Sequence, residues 1–150
     1  MAQSSRVSIQ SKLLITGGLI AAATAVWHLL CIFGGPSWYA FARAPKVVVE
    51  SAKHGTLLAP IGAIVIAGLM FTCTAYSFSG AGLIRKIPFL KSALVTISLI
   101  CLIRAVLAVP YLFLPKLDRW QLVASSGWFL VGVCFLVGAL EQIFSEKDKI

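Results

Sequence analysis

Four side chains in this sequence could bind a ligand or a metal ion, and the first of them is Arg104. It lies near the middle of an apolar run that extends from Lys91 to Pro115. A charged side chain at the centre of a membrane helix costs about 2.5 to 3.5 kcal/mol on insertion scales, so it is usually held by a partner or a wet cavity. A buried guanidinium suits an anionic or carbonyl-bearing group. Arg104 is therefore our first candidate for a functional site.

Two histidines and one glutamate are the other candidates. Glu50 and His54 are four residues apart and share a face if that stretch is helical. With His28 they make two imidazoles and a carboxylate, a combination able to hold iron or another divalent metal. The two imidazoles could instead be axial ligands of a b-type haem between two helices. In a third interpretation, His28 bonds the backbone of a neighbouring helix, and Glu50 and His54 are solvated.

Residue patterns for other kinds of chemistry are missing from the sequence. It contains no nucleophile with its base, no phosphate-binding glycine loop and no paired-carboxylate site. The four cysteines form no Cys-x-x-Cys pair, and one lies in each apolar run: Cys31, Cys73, Cys101 and Cys134. Buried apolar packing is a better interpretation of them than a redox centre or a zinc site. The sequence thus favours binding and leaves catalysis open.

The elements that must position these side chains are membrane helices. Of the 150 residues, 59% are hydrophobic and 12% are charged, whereas soluble proteins are about 45 to 50% apolar and 25% charged. Four runs reach the roughly 20 apolar residues that a spanning helix needs, at about 13–33, 57–78, 92–114 and 122–144. The connections are too short for a separate soluble domain. We therefore expect an all-α fold, an integral membrane four-helix bundle that forms a single transmembrane domain over residues 1–150.

The positive charge of the chain fits a membrane better than a nucleic acid. The net charge of +8 comes from 13 lysines and arginines against five acids, and the cations crowd the ends of the apolar runs, where they meet lipid headgroups. We therefore expect the lipid bilayer as a partner and no nucleic acid. The connection at 85–91 carries three cations and no acid, which favours both termini in the cytoplasm.

The longest connection, between the first two runs, contains an aromatic group and a helix-start signal. The aromatic residues are Trp38, Tyr39 and Phe41, and tryptophan and tyrosine favour the membrane-water boundary. Pro45 suits the first turn of a helix. We expect an interfacial segment between spans one and two. It either continues as one helix or forms a separate piece that feeds the second span with a bend near Pro60.

Helical spacing indicates which residues share a face. In the first run a shared face contains Gly17, Ala21, Thr24, His28 and Cys31, and in the fourth it contains Gly127, Val131, Cys134, Gly138 and Glu141. Small residues on these faces allow close helix packing or self-association, so a homo-oligomer is open. In the third run, Arg104 shares its face with Cys101, Ala108 and Tyr111.

Depth suggests that the candidate residues converge in the outer half of the bundle. At about 1.5 Å per residue, His28 lies roughly 8 Å and Arg104 roughly 15 Å below the outer ends of their spans. An arginine side chain can snorkel towards the boundary, and Glu50 and His54 approach the second span from outside. Trp27 and Tyr111 could line such a pocket, among other aromatic residues.

Several strings in the chain resemble a group of small, uncharacterised bacterial inner-membrane proteins with four spans. They are Trp27-His28, Phe33 to Tyr39, Glu50, Gly55, Ala59-Pro60, Ala75 to Gly82, and Arg104. The resemblance covers about residues 27–110. It implies a multi-pass protein of the bacterial inner membrane and brings no activity with it.

These observations lead to one main functional hypothesis and two alternatives. We expect a binding or transport-accessory protein for a lipid, quinone or other amphipathic ligand, whose polar head is held by Arg104. The ligand-binding set is Arg104, His28, Glu50, His54, Tyr111 and Trp27. One alternative is a redox membrane protein that binds haem or a metal at His28 and His54. The other is a structural subunit of a larger membrane complex, in which another chain satisfies Arg104.

Overall fold

Helices account for all the regular structure in the part of the chain that is described. The computed structural model describes residues 9–107 and 119–147, and within these ranges it contains six helices and no strand. In chain order they are α1 (Ile9–Gly34), α2 (Pro36–Phe41), α3 (Lys46–Lys53), α4 (Leu58–Gly80), α5 (Leu90–Val106) and α6 (Arg119–Lys147). The all-α prediction is confirmed.

Three of the described helices are long and apolar enough to cross a membrane. They cover Ile9–Gly34, Leu58–Gly80 and Leu122–Phe144, and they match the first, second and fourth predicted runs. In the third run, α5 has 17 residues, fewer than the roughly 20 of a typical span. The remainder of that predicted run, 108–114, lies outside the described residues. The helices are consistent with a multi-pass membrane protein, and the fourth span stays a prediction.

The helices pack into two compact units. Unit one contains the described residues of 1–20 and 74–150, and unit two contains residues 21–73. The two long helices α1 and α4 therefore contribute residues to both units. Each unit is described by itself below, and the single transmembrane domain stays a prediction.

Glycines let helix segments approach closely in unit one. A Cβ atom added at Gly138 would collide with the Leu14 side chain, and one added at Gly17 would lie 3.1 Å from the Phe135 ring. Leu14 and Phe135 are themselves fully buried. These contacts join α1 to α6, and small residues allow the same close approach in other membrane helices.

Hydroxyl groups in unit one donate hydrogen bonds to main-chain carbonyl oxygens of other helices. Ser77 on α4 donates to the Leu14 oxygen on α1, and Thr74 on α4 donates to α1 in the same way. Ser98 on α5 donates to the Gly132 oxygen on α6 at 3.0 Å. Hydrogen bonds between membrane helices contribute about 0.6 to 2 kcal/mol each. They hold α4 against α1, and α5 against α6.

The burial of the helices bears out much of the predicted faces. On α1, the buried members of the predicted face are Gly17, Ala21 and Cys31. On α6 they are Val131, Cys134 and Gly138. These residues are three, four or ten positions apart, so they lie on one side of each helix, as the 3.6-residue period requires.

In unit two, the chain turns back at the end of α1. Gly35 has φ 70°, a left-handed conformation that glycine adopts without steric cost. Pro36 then starts α2, at a position where its missing N–H leaves no hydrogen bond unmade. A Cβ atom at Gly34 would collide with the Trp38 indole. The glycine pair therefore lets α2 fold back so closely that Trp38 lies against the end of α1.

The bend predicted near Pro60 is wrong in position. The chain leaves helical structure at residues 54–57, where Gly55 has φ 66°, and Pro60 lies in the first turn of α4, where a missing N–H is tolerated. The Ser51 hydroxyl accepts a hydrogen bond from the Ala59 N–H at 3.0 Å and so caps α4. Of the two expected forms of this segment, the separate helix is confirmed as α3. Its location at the membrane interface stays a prediction.

Candidate functional site

Arg104 lies in the last turn of α5, two residues before the helix ends. The buried stripe of this helix consists of Leu90, Leu94, Ser98, Cys101 and Ala105. With 3.6 residues per turn, Arg104 lies about 60° around the helix from Cys101, on the flank of that stripe. Its neighbours Ile100 and Ile103 are 59% and 57% exposed. The half-buried Arg104 side chain therefore leaves the helix at the border between the packed face and the exposed apolar face.

No hydrogen bond or ion pair connects the Arg104 side chain to any residue in the ranges 9–107 and 119–147. The carbonyl groups at the end of α5 favour a cation there by about 0.3 to 1 kcal/mol. Tyr111, which the sequence placed beside Arg104, lies outside the described residues. The helix end therefore contributes only a small stabilisation to the guanidinium.

His28 is half-buried on α1 and bonded to its own helix. Its Nδ1 lies 2.8 Å from the Thr24 main-chain oxygen, and since a carbonyl only accepts, Nδ1 must carry the proton. The bond to a neighbouring helix that one interpretation expected is thus replaced by a bond within α1. The other ring nitrogen, Nε2, is the atom that could bind a ligand, because a bond at Nδ1 fixes the tautomer and the ring orientation.

Glu50 lies on the exposed face of α3, and His54 follows the last residue of that helix. Their side chains lie close together, as the four-residue spacing predicted. Glu50 Oε1 accepts a hydrogen bond from Lys53 Nζ at 2.8 Å, and its Oε2 lies 3.7 Å from His54 Nε2. The three side chains are 54 to 75% exposed. The hydrogen bond from Lys53, and then its charge, lower the pKa of Glu50. Both carboxylate oxygens thus already face cationic or potentially cationic partners on the surface.

A three-ligand metal site is not formed by the described residues. Over residues 9–107 and 119–147, no three histidine, cysteine, aspartate or glutamate residues are grouped closely enough to hold an ion. The set His28, Glu50 and His54 therefore does not converge into such a site. Haem ligation by the two histidines needs only a facing pair of imidazoles, and it stays a prediction.

Trp27 belongs to an aromatic group at the junction of α1 and α2. Its ring stacks on Trp38 with centroids 5.1 Å apart and planes 19° from parallel, and it meets Phe41 at 5.8 Å in a tilted arrangement. Phe41 is 59% exposed. The geometry suits interfacial anchoring, since aromatic rings prefer the headgroup level of a bilayer.

The most unusual polar atom in unit two is the Tyr39 hydroxyl, which no motif in the sequence marks as part of a site. Tyr39 is only 6% exposed, and its oxygen has no hydrogen-bond partner among the described residues. The aromatic pattern predicts a position at the membrane boundary for Tyr39, which stays a prediction, and it gives no sign of the burial of its hydroxyl. The Gly35-Pro36 pair is the sequence signal that could have predicted this burial, because a helix starting at Pro36 packs one side of its first turn against α1.

The predicted site residues are distributed over both units. Arg104 belongs to unit one, whereas Trp27, His28, Glu50 and His54 belong to unit two, and their convergence stays a prediction.

In comparisons with known proteins, the chain matches no protein-family model, no curated protein and no solved structure.

Proposed function

We propose that the chain is a membrane-embedded binding protein in which Arg104 holds the anionic head of a lipid-like molecule. The observation that carries this proposal is the position of the Arg104 side chain, half-buried beside exposed isoleucines and without a hydrogen bond to the described residues. A guanidinium offers five N–H donors in a plane, which match the oxygens of a phosphate or carboxylate. An amphipathic ligand would supply those oxygens while its tail lies along Ile100 and Ile103.

A four-span bundle is part of the proposal. Its support is the packing of unit one, where segments of α1, α4, α5 and α6 meet through glycines and hydroxyl groups. In this arrangement the third apolar run also crosses the bilayer. Both termini and the cationic turn at 85–91 lie on the cytoplasmic side, and the membrane is the bacterial inner membrane suggested by the resemblance.

The site needs only Arg104 and the surrounding apolar surface. His28, Glu50, His54, Trp27 and Tyr111 are the further members of the expected ligand-binding set. Glu50 is the least suited to an anionic ligand, because a carboxylate repels it.

Lipid binding by purified protein tests the proposal. Delipidated wild type and Arg104→Leu, Arg104→Lys and Arg85→Leu variants would be titrated with dioleoylphosphatidylglycerol and with oleate and observed by native mass spectrometry. Hydrogen bonds to a charged group contribute about 1.5 to 3 kcal/mol, so Arg104→Leu should weaken binding about 10- to 100-fold. Arg104→Lys should fall between, because an ammonium keeps the charge and loses the planar fork.

Arg85→Leu is the matched control, because Arg85 is an exposed cation of the same unit and its loss should leave lipid binding unchanged. Equal lipid binding by wild type and Arg104→Leu, together with higher stability of the variant, would contradict the proposal. The same preparation also examines the alternatives. A Soret band would favour the haem protein, and a fixed partner chain would favour the structural subunit.

A further inference from the structure

The Tyr39 hydroxyl is a hydrogen-bond donor buried without an acceptor. Across the two described ranges it is the one buried side-chain nitrogen or oxygen atom that has no partner. Leaving such a group unpaired costs about 1 to 3 kcal/mol, and a phenylalanine would fill the same space without that cost. The hydroxyl therefore calls for a partner beyond the described residues.

The surroundings of Tyr39 are apolar. It packs in a buried cluster with the small residues Cys31, Ala59 and Ala63. The partly buried hydrophobic residues packed against them are Trp27, Ile32, Ala42, Ala44, Val48, Val49 and Ala52. Burial and Cys31 are the causes of the raised pKa of Tyr39, and no charged side chain of the described residues is among them. An anion placed there would lose its hydration without gaining a counter-ion, so the missing acceptor is an uncharged oxygen.

The phenol is present as a donor rather than as a phenolate. Burial, and secondarily the proximity of Cys31, raises the pKa of Tyr39. A raised pKa keeps the oxygen protonated at neutral pH and beyond. An uncharged acceptor without a proton of its own, such as a carbonyl oxygen, complements this O–H group.

A trapped water molecule fits the cluster poorly. A buried water makes about three hydrogen bonds, with a range of 2 to 4, and the Tyr39 hydroxyl has only weak help here from the Cys31 thiol. A carbonyl group attached to an apolar body needs only one donor and gains from the apolar walls.

We infer that unit two contains a second binding site, in which the Tyr39 hydroxyl donates a hydrogen bond to the carbonyl oxygen of an uncharged, membrane-soluble molecule. Two sources share this chemistry, a quinone and the acyl ester of a neutral lipid. The ligand would enter from the bilayer, because residues of α1 and α4 next to the cluster include exposed apolar side chains such as Phe33 and Leu58. The inference does not depend on the anionic site at Arg104.

Binding of two uncharged probes tests the inference and distinguishes the sources. Delipidated wild type, Tyr39→Phe and Tyr76→Phe proteins would be titrated with decyl-ubiquinone and with dioleoylglycerol. Tyr76 is the matched control, since its hydroxyl already donates to the Pro88 oxygen at 3.4 Å. We expect wild type and Tyr76→Phe to bind one of the probes equally well, and Tyr39→Phe to bind it about five- to tenfold more weakly.

The melting temperature of the ligand-free protein distinguishes an unpaired Tyr39 hydroxyl from one that stabilises the fold. Since the hydroxyl is unpaired without ligand, Tyr39→Phe should melt at the same temperature as wild type or higher. A lower melting temperature would show that the hydroxyl is satisfied inside the protein and would overturn the inference. So would equal probe binding by Tyr39→Phe and wild type, or failure of wild type to bind either probe.

Infrared spectroscopy tests the bond in the unaltered protein. With a probe labelled with ¹³C at its carbonyl groups, the bound carbonyl stretch should lie at lower wavenumber than in detergent alone, and the shift should vanish in Tyr39→Phe. An unshifted stretch in wild type would exclude the hydrogen bond. Because both probes are uncharged, a negative result leaves the measurement with phosphatidylglycerol and Arg104→Leu unaffected.

Discussion

Ser77 donates its hydroxyl hydrogen bond to the main-chain oxygen of Leu14, 63 positions earlier in the chain. Both residues are fully buried in unit one, so the bond fastens the end of α4 to the first half of α1. An acceptor that is already part of a helix can take this second bond, because a carbonyl oxygen has two lone pairs.

Replacement of Ser77 by alanine should therefore lower the stability of the folded protein. The expected loss is about 0.6 to 1.7 kcal/mol, the range measured for hydrogen bonds between membrane helices, and it would be followed by unfolding in increasing fractions of a denaturing detergent. Thr72→Ala is the control, since the exposed Thr72 hydroxyl bonds only the Gly68 oxygen of its own helix. An equal loss in both variants would show that the bond to Leu14 adds nothing.

Introduction of a methyl group at Gly138 should separate α6 from α1. The new Cβ would overlap the Leu14 side chain, and overpacking of this kind costs about 1 to 3 kcal/mol. Gly127→Ala, on the same helix, has nothing within 4 Å of its Cβ and should be neutral or slightly stabilising. Leu14→Ala should make Gly138→Ala less harmful in the double variant, and simple additivity of the two losses would contradict the contact.

The pKa of the Glu50 carboxyl group should lie below the ordinary value of about 4.3, because Lys53 donates a hydrogen bond to it and adds its positive charge. A lowered pKa means that its stabilising effect is present at neutral pH and is lost as the pH falls through the folded-state value. A titration of ¹³C-labelled glutamate by NMR would measure this. Lys53→Met should return the pKa towards 4.3 while Lys46→Met should not, and identical titrations in the two variants would rule out the pair.

The turn after α4 should open when Ser79 is replaced by alanine. The Ser79 hydroxyl donates to the Arg85 oxygen at 3.1 Å and accepts from the Ile87 N–H at 3.0 Å, and it is only 3% exposed. Loss of both bonds leaves main-chain groups unpaired at a cost of about 1 to 3 kcal/mol. Trypsin should then cut at Arg85 and Lys86 faster than in wild type.

The exposed Ser92 provides the control for that experiment. It lies near the start of α5, in the same unit, and Ser92→Ala should leave the rate of cleavage at the turn unchanged. Faster cleavage in Ser92→Ala than in Ser79→Ala would mean that the hydroxyl bonds at Ser79 do not hold the turn.

Local sequence signals predicted the long apolar helices and much of their buried faces, because length, hydropathy and the 3.6-residue period act within one segment. Gly138 could be assigned to a buried face in this way. Its contact with Leu14 could not, since a spacing pattern shows which side of a helix is buried and not which residue it meets. The same limit applied to Ser77, whose acceptor lies on another helix.

The site was harder to predict than the helices. The depth assigned to Arg104 assumed that the third run is one long helix, whereas the described helix ends at Val106, so Arg104 lies near its end. Pro110 is consistent with an early end, because proline commonly follows a helix terminus by a few residues. The burial of Tyr39 depended on the turn at Gly35, a non-local effect of one left-handed residue.

The stacked indoles of Trp27 and Trp38 give this protein a built-in optical reporter. Their rings are nearly parallel and 5.1 Å apart, close enough for the two electronic transitions to couple and to produce a paired signal of opposite signs in circular dichroism. The chain has only four tryptophans, so this couplet would stand out from a small background. Its presence after transfer from detergent into vesicles would show, without any added label, that α2 still lies on α1.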